Sequence, residues 1–552
     1  MNRATIRTRR QAIPSVSTTV PTAPPNEGGF TTVSLATELS DSTPSALSRM
    51  WGWRPSFRSG LAVFLGAVAT AISASGSSIP SLWGDEAASV LSAERSIPSL
   101  FRMLGSVDAV HGTYYLFLHF WVQAFGASPF SVRFPSAIAV GIAVAGVVVL
   151  GSRLGGIRVA AFAGIIAVML PRITYMGEEA RGYAMSTAAV VWLTILLLHI
   201  VARDRPERRL WAAYAVGLAA CGYLFLFSLL IVVAHAVVAL SQRRPAILRG
   251  WARATLGGIL IAGPVIGFGI GESGQIAFLA NRDSTNIRTL VVTQWFGNNL
   301  LATLAWILIA AAIIAWAVGS RRNRSWFDGA DPDPVSGART PALVPLAATW
   351  LLGPPAILLA VNSVHAVYSS RYLSFAVPAA ALLIAWLAAR IRPRILGIGL
   401  LVAVVSASSI SYLSERTPFA KNNSDWAQVA QTIQAHARPG QGMLFDEGSR
   451  PSRATRLAMR TYPASFEGLT DVALKTPWYD TSNWHDAVVP TTTVASRLDS
   501  LYRSTKTVWL VEYRLPGAEA DTYDRSMLAA QGFVVVAEYP QHTSVVLELT
   551  RP

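Results

Sequence analysis

Charged residues are scarce in this sequence. Only 14% of its 552 residues are Asp, Glu, Lys or Arg, whereas 52% are apolar. Soluble globular chains carry about 25% charged residues, so long stretches of this chain must contain none. The shortage excludes an ordinary soluble protein and indicates an integral membrane protein.

Lysine and cysteine are almost missing as well. Of the 46 basic residues only three are lysines, at Lys421, Lys475 and Lys506. Together with abundant Ala, Val and Gly, this bias towards arginine is typical of a GC-rich bacterial genome, such as an actinobacterial one. The single cysteine, Cys221, excludes an intrachain disulfide. Since it lies in an apolar run, we expect it to be a small core residue.

Residues 1–58 show no regular spacing of apolar residues. They are rich in Ser, Thr and Pro and open with several arginines. We predict a disordered cytoplasmic tail here. A cleaved signal peptide is not expected, because the first apolar run begins only near residue 60 and is too long for a signal core.

Long apolar runs are the main feature of residues 59–413. A membrane-spanning helix needs about 20 mostly apolar residues, and the sequence contains about eleven candidates. The fifth and sixth are short, and the seventh contains Pro264, which a span tolerates when neighbouring helices cover the freed backbone groups. The candidates are 60–80, 134–151, 159–175, 183–202, 210–223, 224–240, 254–271, 299–319, 341–361, 372–389 and 395–413.

Arginines are unevenly distributed around these runs. If the N-terminus is cytoplasmic, seventeen arginines fall in inside loops and eight in outside loops. This positive-inside bias predicts a multi-pass plasma-membrane protein with a cytoplasmic N-terminus and an outside C-terminus. The formal net charge of +15 is then a topogenic signal, and no nucleic-acid partner is needed to explain it.

The chain becomes less apolar from about residue 414 onward. Asp425–Ala437 has the apolar spacing of a helix, and the segments GMLFD and TVWLVEY (Thr507–Tyr513) have the pattern of strands. A helix at 522–531 then precedes FVVVAEY and SVVLEL, which form a closing hairpin pattern. We predict that residues 414–552 form an extracytoplasmic soluble α/β domain.

The first outside segment, residues 80–133, is long enough to be functional. It opens with SLWGDEAAS, so Asp85 and Glu86 stand just beyond the first span, beside Trp83. A solvated acidic loop is one interpretation of these carboxylates. Their place at a membrane exit favours the other interpretation, in which a partly desolvated carboxylate acts as a base.

Two amphipathic stretches follow in the same segment. The first is a surface helix around Leu91–Leu104, broken by Pro98. The second is the aromatic run HGTYYLFLHFW, which contains His111 and Tyr114 and is typical of segments at the lipid headgroup level. Both are predicted to lie flat on the membrane.

Two further charged clusters fall at the outer ends of spans. YMGEEARGYAM contains Glu178, Glu179 and Arg181, and SSRYLSFAVPA contains Arg371 and Tyr372. Ionisable groups at this depth are costly and often mark a site. A Glu–Arg pair that fixes a helix turn, and an arginine that snorkels to headgroups, are the structural alternatives. The predicted topology places all three clusters on the outer face of the membrane. Carboxylates that could transfer a proton and arginines that could bind a phosphate then lie together, which favours group transfer from a phosphate-linked donor.

The order of these motifs resembles that of bacterial membrane glycosyltransferases of the C superfamily (GT-C). SLWGDEAAS, HGTYYLFLHFW with VRFPSA, GEEARGYA, SRYLSFAVPA and DWAQVAQ occur in the family's order. The branch is similar to the family-39-like enzymes, which include protein O-mannosyltransferases and the aminoarabinose transferase of lipid A. The chain departs from that branch at Gly112–Thr113, where a Pro-Pro or similar pair is common. The resemblance implies a GT-C transmembrane catalytic domain at residues 59–413.

The resemblance also implies the chemistry. The donor would be a sugar on a polyprenyl phosphate, and the acceptor an envelope glycan, glycolipid or protein at the outer face. Asp85 would be the catalytic base with Glu86 assisting, and Arg181 and Arg371 would bind the donor phosphate. The other site candidates are Glu178, Glu179, His111, Tyr114 and Tyr372.

Several points stay open at this level. No cofactor is certain, and a divalent metal at Asp85 is compatible with the superfamily although no ligand cluster in the sequence demands one. The relatives favour a mannosyltransferase of cell-wall biogenesis, yet arabinose, galactose, glucose or an amino sugar would also fit. The alternatives are a transporter or flippase, which usually shows repeated halves and midplane polar groups that are not found here, and a sensor or scaffold.

Overall fold

The computed structural model describes residues 57–281, 285–321, 342–447, 449–501, 505–514 and 523–552. Nearly all of the tail predicted at 1–58 lies outside the described residues. The described residues cluster as one compact unit, so the boundary predicted near residue 414 stays a prediction.

Helices dominate the described chain up to Glu415. Proline and glycine set many of their ends: Pro129 opens a helix capped by the Ser128 hydroxyl, and Gly156, with φ of 84°, follows its last turn. The helices of this part are Phe57–Ala74 (α1), Gly84–Ala93 (α2), Ile97–Leu104 (α3), Gly112–Phe125 (α4), Pro129–Gly155 (α5), Ile157–Met169 (α6), Pro171–Gly177 (α7), Tyr183–Val201 (α8), Arg208–Leu224 (α9), Val232–Ser241 (α10), Pro245–Ile261 (α11), Gly263–Gly271 (α12), Asn299–Arg321 (α13), Leu343–Asn362 (α14), Val377–Ala388 (α15) and Arg394–Glu415 (α16).

Six helical segments of the described chain are long and apolar enough to cross a membrane, or up to eight if each of two bent pairs is one span. The pairs are α6 with α7, bent by 59°, and α11 with α12, bent by 52°. The bends fall next to Pro171 and Pro264, where proline removes a helical hydrogen bond. The predicted count of about eleven spans is not confirmed, because α9 and the apolar helices at Arg58–Ala74 and Leu226–Ser241 are too short.

The first outside segment folds as three helices. Pro98 stands in the first turn of α3 and does not break it, because the Ser96 hydroxyl caps that turn by accepting from the Ser99 N–H. The aromatic run forms α4. The aromatic stretch is thus helical as predicted, whereas the stretch predicted around Leu91–Leu104 is divided between α2 and α3, and Pro98 lies at a helix start instead of at the break.

The C-terminal region, which we define as residues 426–552, combines a sheet with short helices. Its helices are Trp426–His436 (α17), Leu457–Thr461 (α18), Thr491–Leu501 (α19) and Tyr523–Ala530 (α20), and its strands are Gly442–Phe445 (β1), Thr470–Asp471 (β2), Leu474–Thr476 (β3), Ala487–Val488 (β4), Thr507–Tyr513 (β5), Val534–Pro540 (β6) and Ser544–Thr550 (β7).

Five of these strands form one mixed sheet in the order β2-β1-β5-β7-β6. Strand β1 runs parallel to β2 and β5, whereas β5, β7 and β6 are successively antiparallel. The strand predicted at Thr507–Tyr513 is observed with the same bounds, and the predicted hairpin is β6–β7.

Helix α2 belongs to the packing of both parts of the chain. Its Ala87 and Leu91 side chains are fully buried in one apolar cluster with Trp509 and Val511 of β5. At the start of α2, the Leu82 N–H donates to the Tyr462 hydroxyl at 2.9 Å. The residues next to Asp85 are therefore held by the C-terminal region as well as by the membrane helices.

Candidate active site

Side chains from three separate segments meet around Asp85. This residue lies in the first turn of α2. Arg371, from a 3₁₀ turn at Ser370–Ala376 that precedes α15, donates from Nη1 to Asp85 Oδ2. Arg181, from the turn between α7 and α8, places Nη2 3.7 Å from the same oxygen. The three clusters of the sequence are thus brought together at one carboxylate.

Each arginine has further partners that fix its guanidinium. Arg371 Nη1 lies 3.7 Å from Glu179 Oε1, and the guanidinium carbon lies 5.0 Å from the centre of the Trp83 ring. Arg181 donates from Nη1 to the Tyr115 hydroxyl at 3.1 Å. Both cations are therefore fixed before any substrate arrives, which reduces the entropy lost on binding an anion.

The charge state of Asp85 follows from these neighbours. Burial by itself would raise the pKa of the Asp85 carboxyl, but the positive charges of Arg371 and Arg181 outweigh burial and hold the pKa below its ordinary value. About a fifth of the side chain is exposed, at 21%. Asp85 is therefore ionised and accessible from the cavity.

Glu86 points the other way, into the protein. Its two carboxylate oxygens accept from Arg133 Nε at 2.7 Å and from Arg133 Nη2 at 2.5 Å, and both side chains are fully buried. The Ala180 N–H donates to Glu86 Oε1 as well, at 2.9 Å. Because this pairing occupies the carboxylate away from the cavity, Glu86 is better placed to hold α2 against α5 than to assist a base.

The Glu86–Arg133 pair gives a prediction about stability. Glu86→Ala leaves a buried, unpaired guanidinium, so we expect the free energy of unfolding to fall by about 3–5 kcal/mol. Adding Arg133→Met should restore part of the loss, because it removes the stranded charge. Thermal unfolding in detergent measures both effects.

Glu207→Ala is the control for that experiment, because Glu207 pairs with Arg203 at the surface. The side chain of Glu207 is 63% exposed and that of Arg203 is 42% exposed. Such surface pairs contribute about 0–1 kcal/mol. An unfolding midpoint for Glu86→Ala equal to that of Glu207→Ala would contradict a holding role for Glu86.

The two adjacent glutamates of the second cluster face different partners. Glu179, 1% exposed, lies beside Arg371 at the candidate site. Glu178 is fully buried and pairs with Lys421 Nζ at 3.1 Å and Arg416 Nη1 at 3.2 Å. The Lys421 ammonium also lies 3.5 Å from the centre of the Tyr175 ring. Glu178 therefore ties the α7–α8 turn to the segment that follows α16.

Sequence reasoning missed three of these cations, Arg133, Arg416 and Lys421. Their partners are too distant in the chain for spacing to reveal them. Lys421 did carry a signal, since lysine is rare here and this one lies only eight residues beyond the last apolar run. A fully buried lysine needs a carboxylate, and the Glu178–Glu179 pair was available.

The remaining predicted site residues divide into two groups. His111 and Tyr372 line the cavity beside Asp85, and the Tyr372 ring stacks on Phe227 with centroids 5.1 Å apart. Burial, with a smaller contribution from the charge of Arg181, lowers the pKa of His111 to about 3, so the ring is neutral at neutral pH. Tyr114 is buried in the packing of α2–α4 and does not line the cavity.

The cavity beside Asp85 has a volume of about 710 Å³. One wall is aromatic and comes from the membrane helices and their connections, with Tyr183, Phe225, Phe227 and Tyr372. A second part of the lining comes from the C-terminal region and is mainly polar. The cavity beside the carboxylate therefore has both apolar and polar surfaces for a ligand.

Acidic side chains in the described ranges do not form a metal-binding cluster. No three His, Cys, Asp or Glu residues there come together in an arrangement that could hold a metal ion. Two carboxylates besides Asp85 line the cavity, Asp108 and Glu272. Asp108 Oδ2 accepts from the Tyr115 hydroxyl at 2.9 Å, and both Glu272 oxygens accept from the Ala109 N–H at 3.1 Å.

Comparison with known proteins finds similarity in structure only. No family model matches the sequence, and no curated protein matches it significantly. The fold is similar to that of ArnT from Cupriavidus metallidurans bound to undecaprenyl phosphate, with a TM-score of 0.55 and 14% identity over 89% of this chain and 98% of ArnT. The apo state of the same protein gives a TM-score of 0.53 with 13% identity.

A third structure, an oligosaccharyltransferase from Archaeoglobus fulgidus in complex with Zn and sulfate, gives a TM-score of 0.41 with 9% identity over 83% of this chain and 72% of that chain. That score is too low to establish a common fold. The similarity to ArnT shows that the two chains share a fold, whereas the predicted place in the GT-C superfamily rests on the sequence resemblance and stays a prediction. The family-39 branch and the actinobacterial origin stay predictions.

Proposed function

We propose that this protein is a membrane glycosyltransferase that transfers a sugar from a polyprenyl-phosphate donor. One observation carries the proposal: an ionised carboxylate, Asp85, stands at the wall of a large cavity between two fixed arginines, Arg181 and Arg371. Transfer from a phosphate-linked donor needs both a proton acceptor and cations for the leaving phosphate. The shared fold with ArnT, whose structure holds undecaprenyl phosphate, supports the same conclusion.

The reaction then assigns a role to each group. The acceptor hydroxyl oxygen attacks the anomeric carbon of the donor sugar while the bond from that carbon to the phosphate oxygen breaks. The phosphate oxygen keeps the bonding electron pair and leaves as polyprenyl phosphate. The hydroxyl proton passes to the Asp85 carboxylate, and Arg181 and Arg371 stabilise the negative charge that develops on the phosphate.

Glu179 has a secondary role in this scheme. Its Oε1 lies 3.7 Å from Arg371 Nη1, the same nitrogen that donates to Asp85. When the phosphate engages Arg371, Glu179 keeps the cation in place after Asp85 loses its direct contact. The aromatic wall with Phe225, Phe227 and Tyr372 suits the apolar part of the donor at the membrane boundary.

A direct assay tests the function. Purified full-length protein is supplied with a series of polyprenyl-phosphate sugars and with envelope glycans, glycolipids and proteins as acceptors, and released polyprenyl phosphate is measured. We expect release that depends on both donor and acceptor. Transport of a lipid-linked sugar across vesicles without release of polyprenyl phosphate would instead support a flippase. Mannose, arabinose, galactose, glucose and amino-sugar donors compete in this assay to identify the sugar.

The proposed site faces the outside of the plasma membrane in this scheme, with the C-terminal region on the same side. We therefore expect that a reporter active only outside the cytoplasm is active when fused after Arg416 and silent when fused at Asp331, a position outside the described residues. The positive-inside bias of the arginine-rich loops is the physical reason. The reverse result would place the site in the cytoplasm and contradict an outer-face reaction.

A further inference from the structure

The polar wall of the cavity is formed by two loops of the C-terminal region. The first is a turn at Arg450–Arg453, and the second is the segment Asn483–His485. Neither loop contributes to the cluster around Asp85, so the scheme above leaves this wall without a role.

The first loop places two arginines at the cavity. Arg453 donates from Nη1 to the Tyr513 hydroxyl at 3.3 Å. Within the described parts of the chain, neither Arg450 nor Arg453 has a carboxylate within ion-pairing distance, although Arg456, three residues further on, pairs with Glu447 and Asp471. Within those described parts, Arg450 and Arg453 therefore add positive charge to the lining of the cavity without a carboxylate partner.

The same turn lies directly against the candidate base. Ser452, between the two arginines, packs so closely on Gly84 that a Cβ at Gly84 would collide with the Ser452 carbonyl oxygen. Gly84 immediately precedes Asp85. A ligand group held by Arg450 and Arg453 would thus lie next to the carboxylate that accepts the proton.

The second loop supplies groups that suit a sugar ring. Trp484 offers an aromatic face, and the Asn483 and His485 side chains offer hydrogen-bonding groups. The Arg95 side chain fixes this loop. It is fully buried and donates to the backbone carbonyls of Trp478, Thr481 and Asn483. The place of the loop against the cavity is therefore part of the folded structure.

We infer that the C-terminal wall is the acceptor subsite and that the acceptor is an anionic saccharide. Its phosphate or carboxylate group binds Arg450 and Arg453, its ring lies against Trp484, and one of its hydroxyls faces Asp85. This inference rests on the proposed function, because it names the acceptor class of the same reaction. The donor phosphate occupies the other cation pair, Arg181 and Arg371, so each substrate has its own anion site.

Binding of matched sugars tests the subsite. Full-length protein in nanodiscs of neutral lipid is first saturated with undecaprenyl phosphate, which covers Arg181 and Arg371. Glucose 6-phosphate, glucuronic acid, glucose and inorganic phosphate are then titrated, and binding is followed by saturation-transfer NMR. We expect the two anionic sugars to bind roughly tenfold or more tightly than glucose, since charge-assisted hydrogen bonds are worth about 1.5–3 kcal/mol.

Variants show where that preference arises. Arg450→Gln with Arg453→Gln should remove the preference for anionic sugars and leave undecaprenyl phosphate binding unchanged. Arg438→Gln is the matched control, an exposed arginine of the same region that does not line the cavity, and it should behave as wild type. Glucose 6-phosphate and glucuronic acid separate a phosphate-bearing from a carboxylate-bearing acceptor.

Two outcomes would overturn the subsite. One is equal binding of glucose and the anionic sugars, or a preference that survives in the double variant. The other is inorganic phosphate binding as tightly as glucose 6-phosphate, which would leave an anion site without sugar recognition. Failure of the wild-type protein to bind undecaprenyl phosphate would instead contradict the proposed polyprenyl-phosphate donor. A separate titration with undecaprenyl phosphate measures this binding.

Discussion

Asp85→Asn should reduce sugar transfer by about 10²–10⁴-fold, the usual contribution of a positioned base, while undecaprenyl phosphate still binds. Asparagine keeps the size of the side chain but cannot accept the hydroxyl proton. The change also removes a negative charge beside Arg181 and Arg371, so donor affinity should stay equal or increase. The measurements are release of polyprenyl phosphate and a separate titration with undecaprenyl phosphate.

A control variant separates this effect from general damage. Asp499→Asn alters an exposed carboxylate whose pair with Arg551 lies at the surface, and it should leave both measurements unchanged. Full activity of Asp85→Asn would remove Asp85 from the reaction. Glu179 would then be tested next, because Glu86 is committed to Arg133.

Arg371→Ala should weaken undecaprenyl phosphate binding by roughly 10–100-fold, since it removes charge-assisted contacts worth about 1.5–3 kcal/mol. kcat/KM should fall at least as far, because the leaving phosphate carries more negative charge in the transition state than in the donor. Arg371→Lys should recover only part of the loss, because a lysine ammonium lacks the planar fork that binds two phosphate oxygens at once.

Arg371→Ala should also change the pH dependence of kcat/KM. Arg371 is the largest influence that lowers the pKa of Asp85, so its removal lets burial raise that pKa. A base is active when deprotonated, and the acidic limb of the kcat/KM profile should therefore move to higher pH. Arg102→Ala, an exposed arginine on α3 that does not line the cavity, should show neither effect. Unchanged donor affinity in Arg371→Ala would move the phosphate site towards Arg181.

The sequence predicts the composition of the site better than its geometry. Asp85, Arg181 and Arg371 could be grouped because the predicted topology places all three at the outer ends of spans, where ionisable groups are costly and often mark a site. Asp85 and Glu86 could not be told apart, because neighbours on a helix point about 100° from each other and only the fold decides which one meets the cavity. Arg133 pairs with Glu86 inside the protein, away from the cavity. The spacing of the two residues in the sequence does not reveal this pair.

The secondary structure also divides into features that the sequence predicts well and features that it predicts poorly. Segments with a strong local pattern, such as Thr507–Tyr513, are observed as predicted, since a short run of β-branched and aromatic residues is typical of a strand buried on both faces. The count of spans is less secure, because hydropathy shows that the candidates at 210–223 and 224–240 are short but does not decide whether a short or bent helix crosses the bilayer. The cavity's polar wall was beyond prediction, because the loops that form it carry no periodic signal.

The position of helix α2 also has a consequence for the time at which the site can form. The helix is synthesised early, yet Ala87 and Leu91 are buried together with residues as distant in the sequence as Trp509 and Val546. Contacts of such long sequence separation form late, because the chain must first close a very large loop. Asp85 is thus inserted beside its membrane before the core that orients it exists. A protein interrupted between residues 376 and 509 would contain Asp85, Arg181 and Arg371 and still lack part of the apolar core that orients α2.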